Sequence, residues 1–208
     1  FKLAQVFTIS RGSRTEAKVL TVRLQDGENH GWGECVPYAR YDETLESVTA
    51  EINGLPDRFD RAELYELLPA GAARNAVDCA LWDMEAKASG KRAWELAGLP
   101  APKPEITAYT LSLDTPAKMQ EQAAKHAFRP LLKIKLGTPD DMPRLEAVRA
   151  GAPKSRIIID ANEGWSRAVY LDLVPHLQRL GVSLVEQPLP ASDDEGLIGI
   201  ERPVPVCA

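Results

Sequence analysis

Two lysines and two carboxylates stand at spacings from which they could do chemistry together. Lys133 and Lys135 alternate with Leu132, Ile134 and Leu136, so a strand here presents both cations on one face and the apolar side chains on the other. Asp160 closes the run Ile157-Ile158-Ile159, and Glu186 closes Ser183-Leu184-Val185. Turn residues follow each acid, which places both at the C-terminal tips of their strands. Lys135 lies 25 residues before Asp160, and Asp160 lies 26 before Glu186. That interval is about one strand plus one crossover helix, so the three positions are equivalent points on consecutive βα units. In a parallel barrel such points converge on one mouth, the place where these barrels carry out reactions.

Two carboxylates with no His or Cys beside them are hard oxygen donors, which favours Mg²⁺ over Zn²⁺. The competing reading makes both acids helix caps or salt-bridge partners. Lys135 is the candidate proton carrier, because the like charge of Lys133 and partial burial both oppose its protonation. A lysine tuned in this way can take a proton from carbon near neutral pH. A solvated K-x-K pair on an edge strand is the alternative, and the flanking Leu and Ile residues argue for a strand buried on both faces instead. Asn162 falls on the same side as Asp160 if the strand continues. Glu163 is expected on the loop surface, and Trp165 is expected to pack over the mouth.

The elements that must position these groups follow a change of rhythm along 208 residues. Up to residue 36 the pattern is strand-like: Leu3 to Ile9, Val19 to Leu24 and His30 to Val36 predict a small three-stranded antiparallel sheet, with Ser10 to Glu16 as a polar loop. Helical periodicity then covers 43–52, 62–68 and 72–88, the last through Ala73, Ala76, Val77, Ala80, Leu81 and Met84. The segment Leu99-Pro-Ala-Pro-Lys-Pro104 is a stiff connector. It divides an α+β unit over 1–100 from an α/β unit over 101–208. In the second unit strands near 106–113, 131–136, 156–160, 182–186 and 204–208 alternate with helices, the first of them opened by the Thr115-Pro116 cap. These βα units do not close an eight-stranded barrel, and the expectation is about the first half of a TIM-type barrel within a longer protein.

Composition excludes several function classes. The net charge of −5 comes without any Lys/Arg stripe interleaved with aromatics, so nucleic acid is not an expected partner. No apolar run approaches the roughly 20 residues of a membrane span. The opening Phe1-Lys2-Leu3 carries no signal-peptide pattern. Cys35, Cys79 and Cys207 lie in apolar surroundings and read as buried free thiols in a reducing cytoplasm, and His30, His126 and His176 lack ligand spacing.

Lys133-Ile-Lys135, Asp160-Ala-Asn162 and Glu186-Gln-Pro188, in order at barrel intervals, resemble the enolase superfamily in its muconate-lactonizing branch. Ile9-Ser-Arg-Gly-Ser-Arg-Thr-Glu-Ala17, Gly33-Glu-Cys-Val-Pro-Tyr-Ala-Arg-Tyr41 and Leu68-Pro-Ala-Gly-Ala-Ala-Arg-Asn75 narrow the resemblance to dipeptide epimerases of the L-Ala-D/L-Glu type. It implies a capping domain over 1–100 and a Mg²⁺-dependent barrel that inverts the α-carbon of a dipeptide's C-terminal residue through an enediolate. By it Lys135 is one acid/base and Lys133 its electrostatic neighbour. Asp160 and Glu186 are two of three metal ligands, with Asn162 lining the site. Arg14 binds the glutamyl carboxylate, and Arg11 is a second candidate. The third ligand and the opposing lysine fall beyond Ala208. A small-molecule dipeptide is the implied partner, and a homo-oligomer is left open. Cycloisomerisation, o-succinylbenzoate synthesis and a noncatalytic ligand-binding role are the alternatives.

Overall fold

A computed structural model describes residues 1–208. The chain forms two compact units, one of residues 1–2 and 16–104, the other of residues 3–15 and 105–208. No helix is long and apolar enough to cross a membrane.

The N-terminal strands pair differently from expectation. β1 (Lys2–Ile9) pairs with β2 (Gly12–Glu16), while β3 (Leu20–Asp26) pairs with β4 (Asn29–Cys35). Two separate ladders thus replace the single three-stranded sheet. The strand at 12–16 escapes a periodicity reading because all five of its residues are exposed and leave no apolar alternation.

In the first unit, α1 (Leu45–Asn53), α2 (Arg61–Leu67), α3 (Ala72–Ser89) and the single turn α4 (Ala93–Leu96) follow β4. Asp60 and Glu63 form a reciprocal capping box that starts α2. Helix α3 lies directly against β4. A Cβ built on Gly33 would stand 1.9 Å from the Ala76 carbonyl oxygen, so only glycine permits the approach. Ala73, Ala76, Val77, Ala80 and Leu81 form its buried stripe with Val22, Val48 and Leu64. Cys79 falls on the opposite side of that stripe and is exposed, as is Cys207; only Cys35 is buried, which corrects the expectation for the other two.

The second unit is α/β. β5 (Tyr109–Leu111), β6 (Leu131–Lys135), β7 (Arg156–Asp160), β8 (Val182–Glu186) and β9 (Val206–Cys207) form one parallel sheet in that order. Helices α5 (Pro116–Lys125), α6 (Asp141–Gly151) and α7 (Arg167–Leu177) connect successive strands. The core joins Leu132, Ile134, Ile157, Ile159 and Val185 of the sheet to Met119, Leu145, Val148 and Tyr170 of the helices. Side-chain alternation therefore puts Lys133, Lys135, Asp160 and Glu186 on the other face.

Arg149 fastens the N-terminal ends of β7 and β8. Its guanidinium donates to the carbonyls of Leu180 (2.7 Å), Ser155 (2.8 Å) and Ala152 (3.0 Å), with longer bonds to Pro153 and Gly181. Burial holds its pKa below the ordinary value, and no carboxylate offsets this. Arg149→Met should lower the unfolding free energy by about 2–4 kcal/mol, because several buried carbonyls lose their only charged donor. Urea denaturation measures this; a change under about 0.5 kcal/mol would reduce Arg149 to an ordinary surface residue.

Candidate active site

The ladder register carries the site. Lys135 is aligned with Asp160, and Asp160 with Glu186, so one row across three strands holds a base and two acids. The Lys135 ammonium donates to Asp160 Oδ2 at 2.5 Å. Lys133 Nζ stands 2.5 Å from Glu186 Oε2 and 2.9 Å from the same Asp160 oxygen. Lys135 and Asp160 are buried, at 9% and 1% exposure. Burial disfavours the Lys133 ammonium, but its bonds to Glu186 and Asp160 outweigh that and raise its pKa above the ordinary lysine value. Burial likewise opposes the Asp160 carboxylate, and the two ammoniums reverse the effect, holding its pKa below the usual range.

Left-handed residues end both acid-bearing strands: Asn162 (φ 48), Glu163 (φ 64) and Gln187 (φ 43). Each costs on the order of 1 kcal/mol, so neighbouring bonds must enforce it. Ala161 N–H donates to Glu186 O, Glu163 N–H to Gln187 O and Trp165 N–H to Pro188 O. The two turns are thereby laced together. Asn162 N–H donates to Asp160 Oδ1 at 2.9 Å, which orients the carboxylate, while the buried Asn162 Oδ1 has no partner.

Sequence reasoning missed Asp141, which is fully buried at the start of α6. Its Oδ2 accepts from Gly137 N–H (2.6 Å), Thr138 N–H (2.8 Å) and Trp165 Nε1–H (2.7 Å). Oδ1 accepts from Thr138 Oγ1–H and Arg144. This carboxylate ties the loop after β6 to the loop after β7. The signal available in the sequence was an acid in a helix's first turn after Thr-Pro-Asp. Trp165 is consequently a core residue at 1% exposure instead of a cover over the mouth.

Glu163 is also corrected. It is not loop surface: its side chain is 9% exposed and lies 3.1 Å from Arg11 Nη1. Arg11 and Ser10 form the turn between β1 and β2, and both donate to the carbonyl of Asn162, at 2.7 and 2.9 Å. Arg14 lies in β2, not in a loop, and is exposed, with no hydrogen bond or ion pair to its guanidinium. The structure brings Lys133, Lys135, Asp160 and Glu186 into direct contact and joins Asn162 and Arg11 to them through the main chain.

Residues 2–98 match the family described as mandelate racemase / muconate lactonizing enzyme, N-terminal domain, and residues 115–208 match the enolase C-terminal domain-like family. The chain belongs to the enolase superfamily. L-Ala-D/L-Glu epimerase of Escherichia coli (strain K12) is 42% identical over 208 residues, which cover 97% of this chain and 65% of that protein. N-acetyl-D-glutamate racemase of a Pseudoalteromonas species is 43% identical over 199 residues, covering 91% and 62%. The chain thus spans less than two thirds of the length of either relative. Among solved structures, an enolase family member from Agrobacterium tumefaciens with homology to dipeptide epimerases, holding sodium and L-Ala-L-Glu, superposes with a TM-score of 0.96 at 54% identity. The match covers all of this chain and 65% of that one.

The donor set of this superfamily member suits a hard cation. Carboxylates from adjacent strands converge on one positive charge, the Lys133 ammonium, so the place between them already favours a cation. Asp160 and Glu186 are the two residues there that would hold such a cation, and no cluster of three His, Cys, Asp or Glu residues surrounds them.

Proposed function

We propose that the full-length protein epimerises the α-carbon of the C-terminal residue of a dipeptide such as L-Ala-D/L-Glu. The observation that carries this is the single row in which Lys135, Asp160 and Glu186 meet. In this reading residues 101–208 are the first half of the catalytic barrel and residues 1–100 its capping domain. A Mg²⁺ ion held by Asp160 and Glu186 would supply Lewis-acid stabilisation of the substrate carboxylate. Solved dipeptide epimerases from Methylococcus capsulatus and Enterococcus faecalis are complexed with Mg and a dipeptide, which supports that choice.

Lys135 moves the proton at the α-carbon, leaving an enediolate on the substrate. Lys133 adds positive charge beside it, which favours the negative charge that develops in the transition state. Asn162 keeps Asp160 oriented through its N–H. Inversion requires a second acid/base on the opposite face of the carbon, expected beyond residue 208.

The racemase relative favours a second reading. Both N-acetylglutamate and L-Ala-Glu are glutamates acylated on nitrogen, and they differ only in the acyl group. Arg14 accounts for the feature they share, since a guanidinium pairs bidentately with the side-chain carboxylate. Arg14→Met should lower kcat/KM for L-Ala-L-Glu by roughly 30- to 100-fold, the loss of one charged pair, and an apolar dipeptide far less. Steady-state kinetics on L-Ala-L-Glu, N-acetyl-L-Glu and L-Ala-L-Leu test this. Equal losses on acidic and apolar dipeptides remove Arg14 from the substrate site, and faster turnover of N-acetyl-L-Glu by the wild type favours the racemase reading.

A further inference from the structure

The Ser10-Arg11 turn is held more firmly than a hairpin tip requires. Ser10 Oγ–H and Arg11 Nη1–H reach one acceptor, the Asn162 carbonyl, and the same Nη1 lies beside the largely buried Glu163 carboxylate. Asn162 and Glu163 both have positive φ, and this strained turn is what carries the carbonyl and the carboxylate toward the hairpin. Gly137 makes room: a Cβ there would stand 2.6 Å from Ser10 Cβ and 2.4 Å from Ala161 O. The main chain of Asn162 thus faces the hairpin with its C=O and Asp160 with its N–H.

We propose that Arg11, with Ser10 and Glu163, is a positioning latch that clamps the hairpin onto the β7 tip and so fixes Arg14, three residues further on, where it selects an acidic substrate. The selection by Arg14 rests on the function proposed above; the latch itself does not. Arg11 is placed in this role because its Nη1 is committed to a carbonyl and a carboxylate. Arg14, whose guanidinium has no partner, depends on the hairpin for its position. The latch also connects substrate selection to the carboxylate Asp160 through one residue.

The test uses the full-length enzyme with Arg11→Met, Arg11→Lys, Glu163→Asn and the Met/Asn double variant. Asn is chosen at 163 because it tolerates positive φ while removing the charge and the reach. Without substrate, amide hydrogen exchange over residues 8–16 should quicken about tenfold in Arg11→Met and in Glu163→Asn, corresponding to one charged hydrogen bond. The double variant should exchange no faster than the singles, and Arg11→Lys should recover part of the protection. KM for L-Ala-L-Glu should rise more than kcat falls, with a smaller KM change for L-Ala-L-Leu. Wild-type exchange in both single variants would overturn the latch, and equal KM increases on the two dipeptides would overturn its role in fixing Arg14. If the wild type turns over no dipeptide, the proposed function fails, and the exchange data still decide the latch.

Discussion

Lys135→Ala in the full-length enzyme is expected to stop epimerisation in both directions, with a loss of about 10³-fold or more, the contribution of a positioned acid/base. Deuterium should nevertheless enter the α-position of one epimer of L-Ala-Glu in D₂O, because in the proposed mechanism a base on the opposite face would still remove that proton. The two activities separate only if each face has its own carrier. Truncation leaves Asp160 in contact with Lys133 at 2.9 Å, so the carboxylate keeps a counter-charge and the fold should survive. Proton NMR of each epimer over time makes the measurement. Epimerisation near the wild-type rate would place the base elsewhere and rule out Lys135 as the proton carrier.

If Asp160 holds Mg²⁺ as proposed, Asp160→Asn should weaken Mg²⁺ binding by about 10²-fold or more and lower turnover on the order of 10³-fold, since charge at the metal and the orientation of the substrate carboxylate would be lost together. It should also cost about 2–3 kcal/mol of stability, because Lys135 is buried and its ammonium loses its anion. Glu186→Gln should impair metal binding with a smaller loss of stability, as the Glu186 side chain is about one third exposed. The pH dependence has a definite sign. The folded pKa of Asp160 is depressed, so its stabilisation is complete above the unfolded carboxylate value of about 3.9 and disappears as pH falls through the lower folded value. Asp160→Asn should remove that component of acid sensitivity. Isothermal titration with Mg²⁺ and thermal unfolding from pH 2 to 7 read the two effects. Unchanged Mg²⁺ affinity in both variants, or full activity after exhaustive EDTA treatment, would remove these carboxylates from a metal site.

Side-chain period and repeat length by themselves determined the parallel α/β unit and its charged row. Leu131 to Lys135, Arg156 to Asp160 and Val182 to Glu186 are strands, and Lys135, Asp160 and Glu186 share one register because each βα unit has nearly the same length. The buried stripe of α3 was legible for the same reason, since an apolar face repeats locally. Only the tertiary structure decided the rest. β2 is exposed at every residue and so has no pattern; the turn that precedes it bonds through Arg11 to the Asn162 carbonyl, more than 140 residues away in the chain. Asp141, Trp165 and Glu163 are polar or amphipathic side chains whose burial depends on donors and acceptors supplied by other loops. Periodicity reports which face of an element is apolar. It carries no information about which distant partner satisfies a buried polar group, and in this protein those partners hold the hairpin and the carboxylates in place.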